Sequence, residues 1–317
     1  MMLHNGEMIS NLSTYSHKGI FHIVFSHMKR PYNILDMQTL DELDYVLDNC
    51  MGDQEYKGIV LLSSKTSFVV GANVKDFVEA HEAPDEHIDS ILKKGQRVFN
   101  RIEDLDMPSV SIVNGITMGG GLELALACTA RVLVKDSMFK DQKYTPIPRS
   151  KLSLPEVKLG ILPSWGGTTR LPRMISPTKA MSIICSGRNI KQPEALKIGL
   201  ANSIKPHHKA LREAYNIIDN IDFRSIRSQK TSPVIVPEWK IWTSSKLTEW
   251  FIRYKQKRMF GNSRKYPSPF KALDTFKRAI RLNRDDSQDL EREAFIELVK
   301  TPECQDLVQR FLNGERG

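Results

Sequence analysis

SIVNGITMGGGLELALACTARV, residues Ser111 to Val132, is the stretch on which the reading of the chain turns. An apolar, strand-like run enters three consecutive glycines, Gly119, Gly120 and Gly121, and Leu122-Glu123 and a second apolar run follow. Glycine is a poor helix former, and a carboxylate among apolar residues is expensive to bury. A strand that ends at Asn114-Gly115 and turns into a helix at the glycines presents backbone N–H groups at the helix start. Glycine lets a substrate approach them, and the helix dipole adds partial positive charge. Together these make a site for a developing oxyanion such as an enolate, with Glu123 on the first turn beside it. Taken alone, the stretch suits equally well a tight turn whose glutamate serves only the helix dipole.

Working outward, Gly19–Ser26 (GIFHIVFS) is rich in β-branched and aromatic residues and reads as a strand, and Lys57–Ser64 (KGIVLLSS) as a fully buried one. Between them Leu40, Leu43, Val46 and Leu47 have helical spacing, which gives a β–α–β pattern. Ile88, Ile91, Leu92, Phe99, Ile102 and Leu105 predict an amphipathic helix over Asp85–Leu105. PSVSIVNG and ARVLVK are strands on either side of the glycine run, and Pro177–Cys185 and Gln192–Ile198 are helix-like. The polar Asp136–Lys151 predicts a surface loop. Strand and helix alternate to about residue 205, and the remainder is almost wholly helical. The expected fold class is α/β with a mainly α-helical C-terminal section, divided as 1–207 and 208–317.

Two further segments combine glycine turns with acid chemistry. In VVGANV, Gly71-Ala72 closes an apolar run and can offer a second N–H, although a plain β-turn accounts for it too. In LPEVKLGILPSWGGTTRL, Pro155 precedes Glu156, and the run ends in Gly166-Gly167. A glutamate in such surroundings can act as general acid or base, while Pro-Glu is also an ordinary helix start. Two N–H donors and two carboxylates on separate segments suit chemistry at the carbons next to a thioester carbonyl.

These motifs, in this order, resemble the crotonase (enoyl-CoA hydratase/isomerase) superfamily, with its ββα superhelix core. The residues that carry the resemblance are Val69–Ala72, then Asn114-Gly115 with Gly119–Leu124. They continue with Leu154-Pro155-Glu156, Leu159-Gly160, Pro163, Gly166–Thr168 and Arg170–Arg173, within about Gly19–Lys205. The resemblance implies an oxyanion hole from the Ala72 and Gly120 N–H groups and a catalytic pair of Glu123 and Glu156. Gly71, Gly119, Gly121 and Ser164 would line the substrate. The implied activity is hydration of trans-2-enoyl-CoA in fatty-acid β-oxidation, with CoA as part of the substrate and no metal or other cofactor. The alternatives are a Δ3-Δ2-enoyl-CoA isomerase, which can work with one glutamate, and a catalytically silent assembly subunit. Asn73 stands where the family usually has Asp, and Ser164 where it usually has Gly; the Glu123–Glu156 spacing is longer than usual, with the extra residues assigned to the polar stretch near 136–150. RKYPSPFKALDTFKRAI and EREAFIELVKTPECQDLVQRFL are similar to the linker of the α subunit of fatty-acid oxidation complexes. No GxGxxG fingerprint follows a strand, so the expectation is a hydratase portion plus linker without the 3-hydroxyacyl-CoA dehydrogenase portion. A thiolase or a separate dehydrogenase subunit is then the implied partner.

The chain has 317 residues, 40% hydrophobic and 26% charged, in the range of a globular protein. No apolar run approaches membrane-spanning length, the N-terminus lacks a signal-peptide pattern, and the four cysteines are scattered without a CxxC pair. This reads as cytoplasmic and argues against a zinc site. The formal charge of +9 is concentrated: Phe223–Arg284 holds sixteen Lys/Arg against three Asp/Glu. Within it, Lys240–Phe260 interleaves Trp242, Trp250, Phe251, Tyr254 and Phe260 with four Lys and two Arg. Such a helix can lie on an anionic membrane surface or pack its aromatic residues against the protein body. Nucleic acid is not expected, since no binding motif for it is visible.

Overall fold

A computed structural model of the chain describes residues 3–4, 7–8, 11–50, 55–135, 150–260 and 266–315. The expected surface loop Asp136–Lys151 lies outside the described residues up to position 149. In chain order the elements are β1 (Leu3–His4), β2 (Glu7–Met8), β3 (Leu12–His17), β4 (Ile20–Phe25), α1 (Met37–Tyr45), β5 (Gly58–Ser63), α2 (Asp76–Glu82) and α3 (Asp85–Glu103). Then come β6 (Ser109–Val113), β7 (Ile116–Met118), α4 (Gly120–Ala127), β8 (Ala130–Lys135), β9 (Lys151–Ser153), α5 (Gly167–Met174), α6 (Pro177–Ser186), β10 (Ile190–Lys191), α7 (Gln192–Lys197) and β11 (Ser203–Pro206). Only helices follow: α8 (His207–Asn220), α9 (Phe223–Thr231), α10 (Glu238–Phe260), α11 (Ser268–Ala279), α12 (Arg284–Val299) and α13 (Pro302–Leu312). The chain forms two compact units, one of Met1–Ala72, Arg97–Leu152 and Ile190–Arg227, the other of Asn73–Gln96, Ser153–Asn189 and Ser228–Gly317.

The first unit is built on a six-stranded sheet in the order β11-β8-β6-β5-β4-β3. All its pairs are parallel except β3–β4. The inner strands β4, β5, β6 and β8 are the apolar runs of the sequence, because helical crossovers bury such strands on both faces, whereas the edge strand β11 (SIKP) is only half-buried. The antiparallel β3 lies at the sheet edge and buries only Leu12 and Thr14, so its polar sequence LSTYSH carries no strand signal. On one sheet face, Val60, Val110, Ile112, Ala130, Val132 and Val134 pack against Ala210, Ala214 and Ile218 of α8. Alanines four apart let this helix lie close, and a Cβ at Gly58 would stand 2.8 Å from Ile218. Two smaller sheets, β10-β9-β7 and the antiparallel pair β1-β2, hold the remaining strands.

Two buried bases in this unit are matched to their surroundings. The Arg131 guanidinium donates from Nε to the Leu200 carbonyl (2.6 Å) and from Nη1 to the carbonyls of Cys128 (2.9 Å) and Ala125 (3.3 Å). It thus fills the C-terminal end of α4, where carbonyls lack intrahelical partners and a cation is favoured. Burial pushes its pKa down to about 10. His22 on β4 is buried, stacks on Tyr15 at 4.2 Å between ring centres, and meets the Tyr215 hydroxyl at 2.8 Å.

The second unit is helical around a short 3-10 turn, Glu156–Leu159. The buried Arg173 of α5 ties it together, donating from Nε to the Ser232 carbonyl (3.0 Å) and from Nη2 to the Leu282 carbonyl (2.7 Å) and Ser287 Oγ (3.0 Å). Local caps set the later helices: Asn283 Oδ1 accepts from the Asp286 N–H at 2.9 Å, and Thr301 Oγ1 from the Cys304 N–H at 3.2 Å.

Burial lowers the pKa of His22 below 6.5, so the unfolded chain binds the proton more readily. Its contribution to stability is therefore present above 6.5 and declines as pH falls below that value. Denaturant unfolding followed against pH should show a shallower acid-side loss of stability in His22→Gln than in the wild type. Parallel pH profiles would remove His22 from this role.

Candidate functional site

The glycine run occupies the start of α4, a helix whose eight residues are all buried. β6 ends at Val113, Gly115 turns the chain at φ +56°, and the short β7 intervenes before Gly119. The sequence predicts a direct passage from turn to helix, because three residues are too few to show a strand period. Gly119 holds φ 52° and ψ −128°, backbone open to glycine. Gly121 has a different reason to be glycine, since a Cβ there would overlap the Val69 carbonyl oxygen. The Leu122 and Glu123 N–H groups close onto the Gly119 carbonyl at 2.8 and 3.0 Å, which leaves the Gly120 N–H outside the helix's own ladder.

The second glycine turn lies against the first. The Met118 N–H donates to the Val69 carbonyl at 3.3 Å, and Gly71, at φ +110°, faces the Met118 carbonyl with space for no more than a tight Cβ. Ala72 bridges Leu35, whose N–H takes the Gly71 carbonyl at 2.9 Å, an exchange in which the Ala72 N–H has no part. The buried Asn33 positions this turn. Its Nδ2 donates to the carbonyls of Phe25 (3.2 Å) and Phe68 (2.9 Å) and to Ser63 Oγ (2.8 Å), and its own carbonyl accepts from the Val70 N–H at 3.0 Å. Asn114 closes the other side, with Nδ2 on the Lys65 carbonyl at 2.6 Å. Nothing in the sequence singled out Asn33, because its role comes only from the strand ends that converge on it.

Gly71, Ala72, Gly119, Gly120, Gly121 and Glu123 thus fall together in the first unit. Glu123 is buried one turn into α4, where the dipole favours a carboxylate. Backbone donors at a helix start, flanked by glycine and followed by a carboxylate, are suited to stabilising a developing oxyanion beside a proton acceptor.

Glu156 and Ser164 belong to the second unit. Glu156 is buried at the head of the 3-10 turn. The adjoining Val157 carbonyl accepts from Ser268 Oγ at 2.9 Å and from the Tyr266 hydroxyl. Gly160 ends the turn at φ +83°, and a Cβ on it would lie 2.6 Å from Cys304 Cα on α13. The Ser164 carbonyl accepts from Gln96 Nε2 at 2.8 Å, and Gln96 also holds the Gln288 carbonyl at 3.0 Å. The glycines that follow start α5, and two backbone donors at this helix start are claimed by the protein itself. Glu291 of α12, fully buried, accepts the Gly166 N–H at 2.9 Å and the Thr169 N–H at 2.6 Å. Glu291 was invisible to sequence reasoning, because EREAF reads as the solvated face of a helix.

The chain belongs to the enoyl-CoA hydratase/isomerase family, whose model matches residues 17–232. Its α/β, crotonase-like fold is shared with solved structures at low identity. An enoyl-CoA hydratase from Bacillus halodurans is 20% identical, with a TM-score of 0.65 over 95% of this chain and 99% of that one. A carnitinyl-CoA dehydratase from Mycobacterium thermoresistibile is 17% identical, with a TM-score of 0.70 over 96% and 90%. An enoyl-CoA hydratase/isomerase from Mycobacterium paratuberculosis is 16% identical, with a TM-score of 0.65 over 96% and 99%.

Removing the carboxylate at 291 leaves two buried N–H groups unanswered. Glu291→Ala should lower the unfolding free energy by about 3 kcal/mol in denaturant titration, and Glu291→Gln, which keeps one acceptor oxygen, by less. Equal stability of Glu291→Ala and wild type would contradict the capping role.

Proposed function

We propose that this chain hydrates trans-2-enoyl-CoA thioesters as a step of fatty-acid β-oxidation. The observation that carries the reading is the abutment of the turns at Val69–Ala72 and Met118–Gly121 ahead of a helix with a buried glutamate in its first turn. In this reading the thioester oxygen accepts hydrogen bonds from the Ala72 and Gly120 N–H groups, which draw electron density from the conjugated double bond. Glu123 takes a proton from water as its oxygen bonds to the β-carbon. The negative charge collects on the thioester oxygen, facing the helix dipole. Glu156 gives its proton to the α-carbon, the thioester carbonyl re-forms, and proton exchange with solvent resets both carboxylates. Gly71, Gly119 and Gly121 leave the thioester room to approach the backbone, and Ser164 contributes a backbone N–H to the acyl group. CoA enters and leaves as part of the substrate, and every proton in the scheme is handled by protein or water. The product, a 3-hydroxyacyl thioester, is a substrate for a dehydrogenase. With the linker-like character of the C-terminal helices, this supports a separate dehydrogenase or a thiolase as partner.

Hydration of crotonyl-CoA, followed by loss of the enoyl-thioester absorbance, tests the scheme. Glu123→Gln and Glu156→Gln should each cost about 10²–10⁴-fold in kcat. Turnover unaffected by both substitutions refutes the two-carboxylate mechanism. A wild type that moves a Δ3 double bond to Δ2 without hydrating it is an isomerase instead. A wild type with neither activity that retains a β-oxidation partner is an assembly subunit.

A further inference from the structure

The longest helix among the described residues, α10, is amphipathic in an unusual sense. Ile241, Ser245 and Ile252 are buried, and Ser244 Oγ lies 3.0 Å from Thr178 Oγ1 of α6. Most of the exposed side chains among its described residues are aromatic or cationic. Trp239, Trp242 and Trp250 are 68%, 61% and 63% exposed, with Leu247 and Tyr254 exposed beside them. At about 100° per residue, Trp239, Trp242, Lys246, Trp250, Arg253 and Lys257 fall within an arc of about 80°, centred about 130° around the helix from the buried isoleucines. Rings and cations interleave along this stripe, with Lys246 Nζ 6.0 Å from the centre of the Trp242 ring and Trp250 stacked on Tyr254 at 5.8 Å. The helix contains two acids, Glu238 and Glu249, and each already holds an arginine, Arg281 at 3.1 Å and Arg253 at 2.8 Å. Exposed tryptophans at this density carry an energetic cost in water, so the stripe calls for an occupant.

We propose that the outer face of α10 docks this protein onto the surface of an anionic phospholipid bilayer. Tryptophan and tyrosine favour the headgroup level, where the ring is half-buried and its N–H or O–H stays wet. The cations between them meet lipid phosphate and carboxylate. Among the described residues no helix is long and apolar enough to cross a membrane, so the helix lies on the surface. A two-fold contact of this face with a second copy of the chain would set Lys246, Arg253 and Lys257 against the same residues, whereas an anionic lipid surface complements them. The proposal is independent of the reaction assigned above.

The fourth tryptophan, Trp165, is buried, so a change in tryptophan emission on binding reports chiefly on α10. The full chain should cosediment with vesicles of phosphatidylcholine containing about one-third phosphatidylserine at low salt, with a blue shift in emission. Binding should be lost at about 0.5 M salt and be weak on pure phosphatidylcholine. The double variants Lys246→Glu/Lys257→Glu and Trp242→Ser/Trp250→Ser change only exposed positions and should keep the wild-type circular dichroism and Tm. Each should weaken vesicle binding at least about tenfold. The proposal is overturned by no binding at low salt, equal binding to neutral vesicles, indifference to both double variants, or capture of a single-stranded oligonucleotide with no vesicle binding. A concentration-dependent dimer abolished by Trp242→Ser/Trp250→Ser, again without vesicle binding, assigns the face to a second copy and also overturns it.

Discussion

The backbone of this protein passes over itself at Val69 and Gly121, so closely that no carbon fits between the two segments. That contact fixes the identity of residue 121 and brings the turns at Val69–Ala72 and Met118–Gly121 side by side. Asn33 and Asn114 hold the arrangement from either side with hydrogen bonds to main-chain atoms. Side chains of ordinary size at 121 would separate the two turns, and with them the donors on which oxyanion chemistry depends. Gly119 has a conformational reason to be glycine and Gly121 a steric one, which is how two of the three poor helix formers come to stand at the head of a buried helix.

Short helices gain little from propensity, because nucleation costs nearly as much as a few turns return. Both α4 and α5 are eight residues long and almost wholly buried, and the protein places charge at their ends. Arg131 answers the last carbonyls of α4, and Glu291 answers the first N–H groups of α5. Each is a buried polar side chain whose desolvation is offset by hydrogen bonds to backbone groups at a helix end. The two glycine-rich helix starts consequently differ in kind. At α4 the Gly120 donor is outside the helix ladder, whereas at α5 a carboxylate of the protein already occupies the anion position.

What could be read from sequence followed how locally each feature is determined. The buried parallel strands and α3 stand out because burial leaves its period on their composition, and the glycine run because its demands are local. β3 escaped notice because an edge strand with one solvated face needs few apolar residues. β7, β9 and β10 are two or three residues long, too short to show a period. Glu291 lies 125 residues beyond the Gly166 it caps, and a contact at that range leaves no trace in either segment. For α10 the composition announced an amphipathic helix and left open which way its rings faced. The structure turns the tryptophans outward and buries Ile241 and Ile252.

The approach of Gly160 to Cys304 has a consequence for chemical probing. The Cys304 thiol sits at the first turn of α13, sealed beneath the 3-10 turn, and burial pushes its pKa up to about 12. As a protonated, enclosed thiol it is inert to alkylating reagents while α13 is seated. Labelling therefore has to wait for the helix to lift, and its rate counts those excursions. The residue is a built-in clock for local opening of the C-terminal helix, running on the same hierarchy of sub-global motions that amide exchange records.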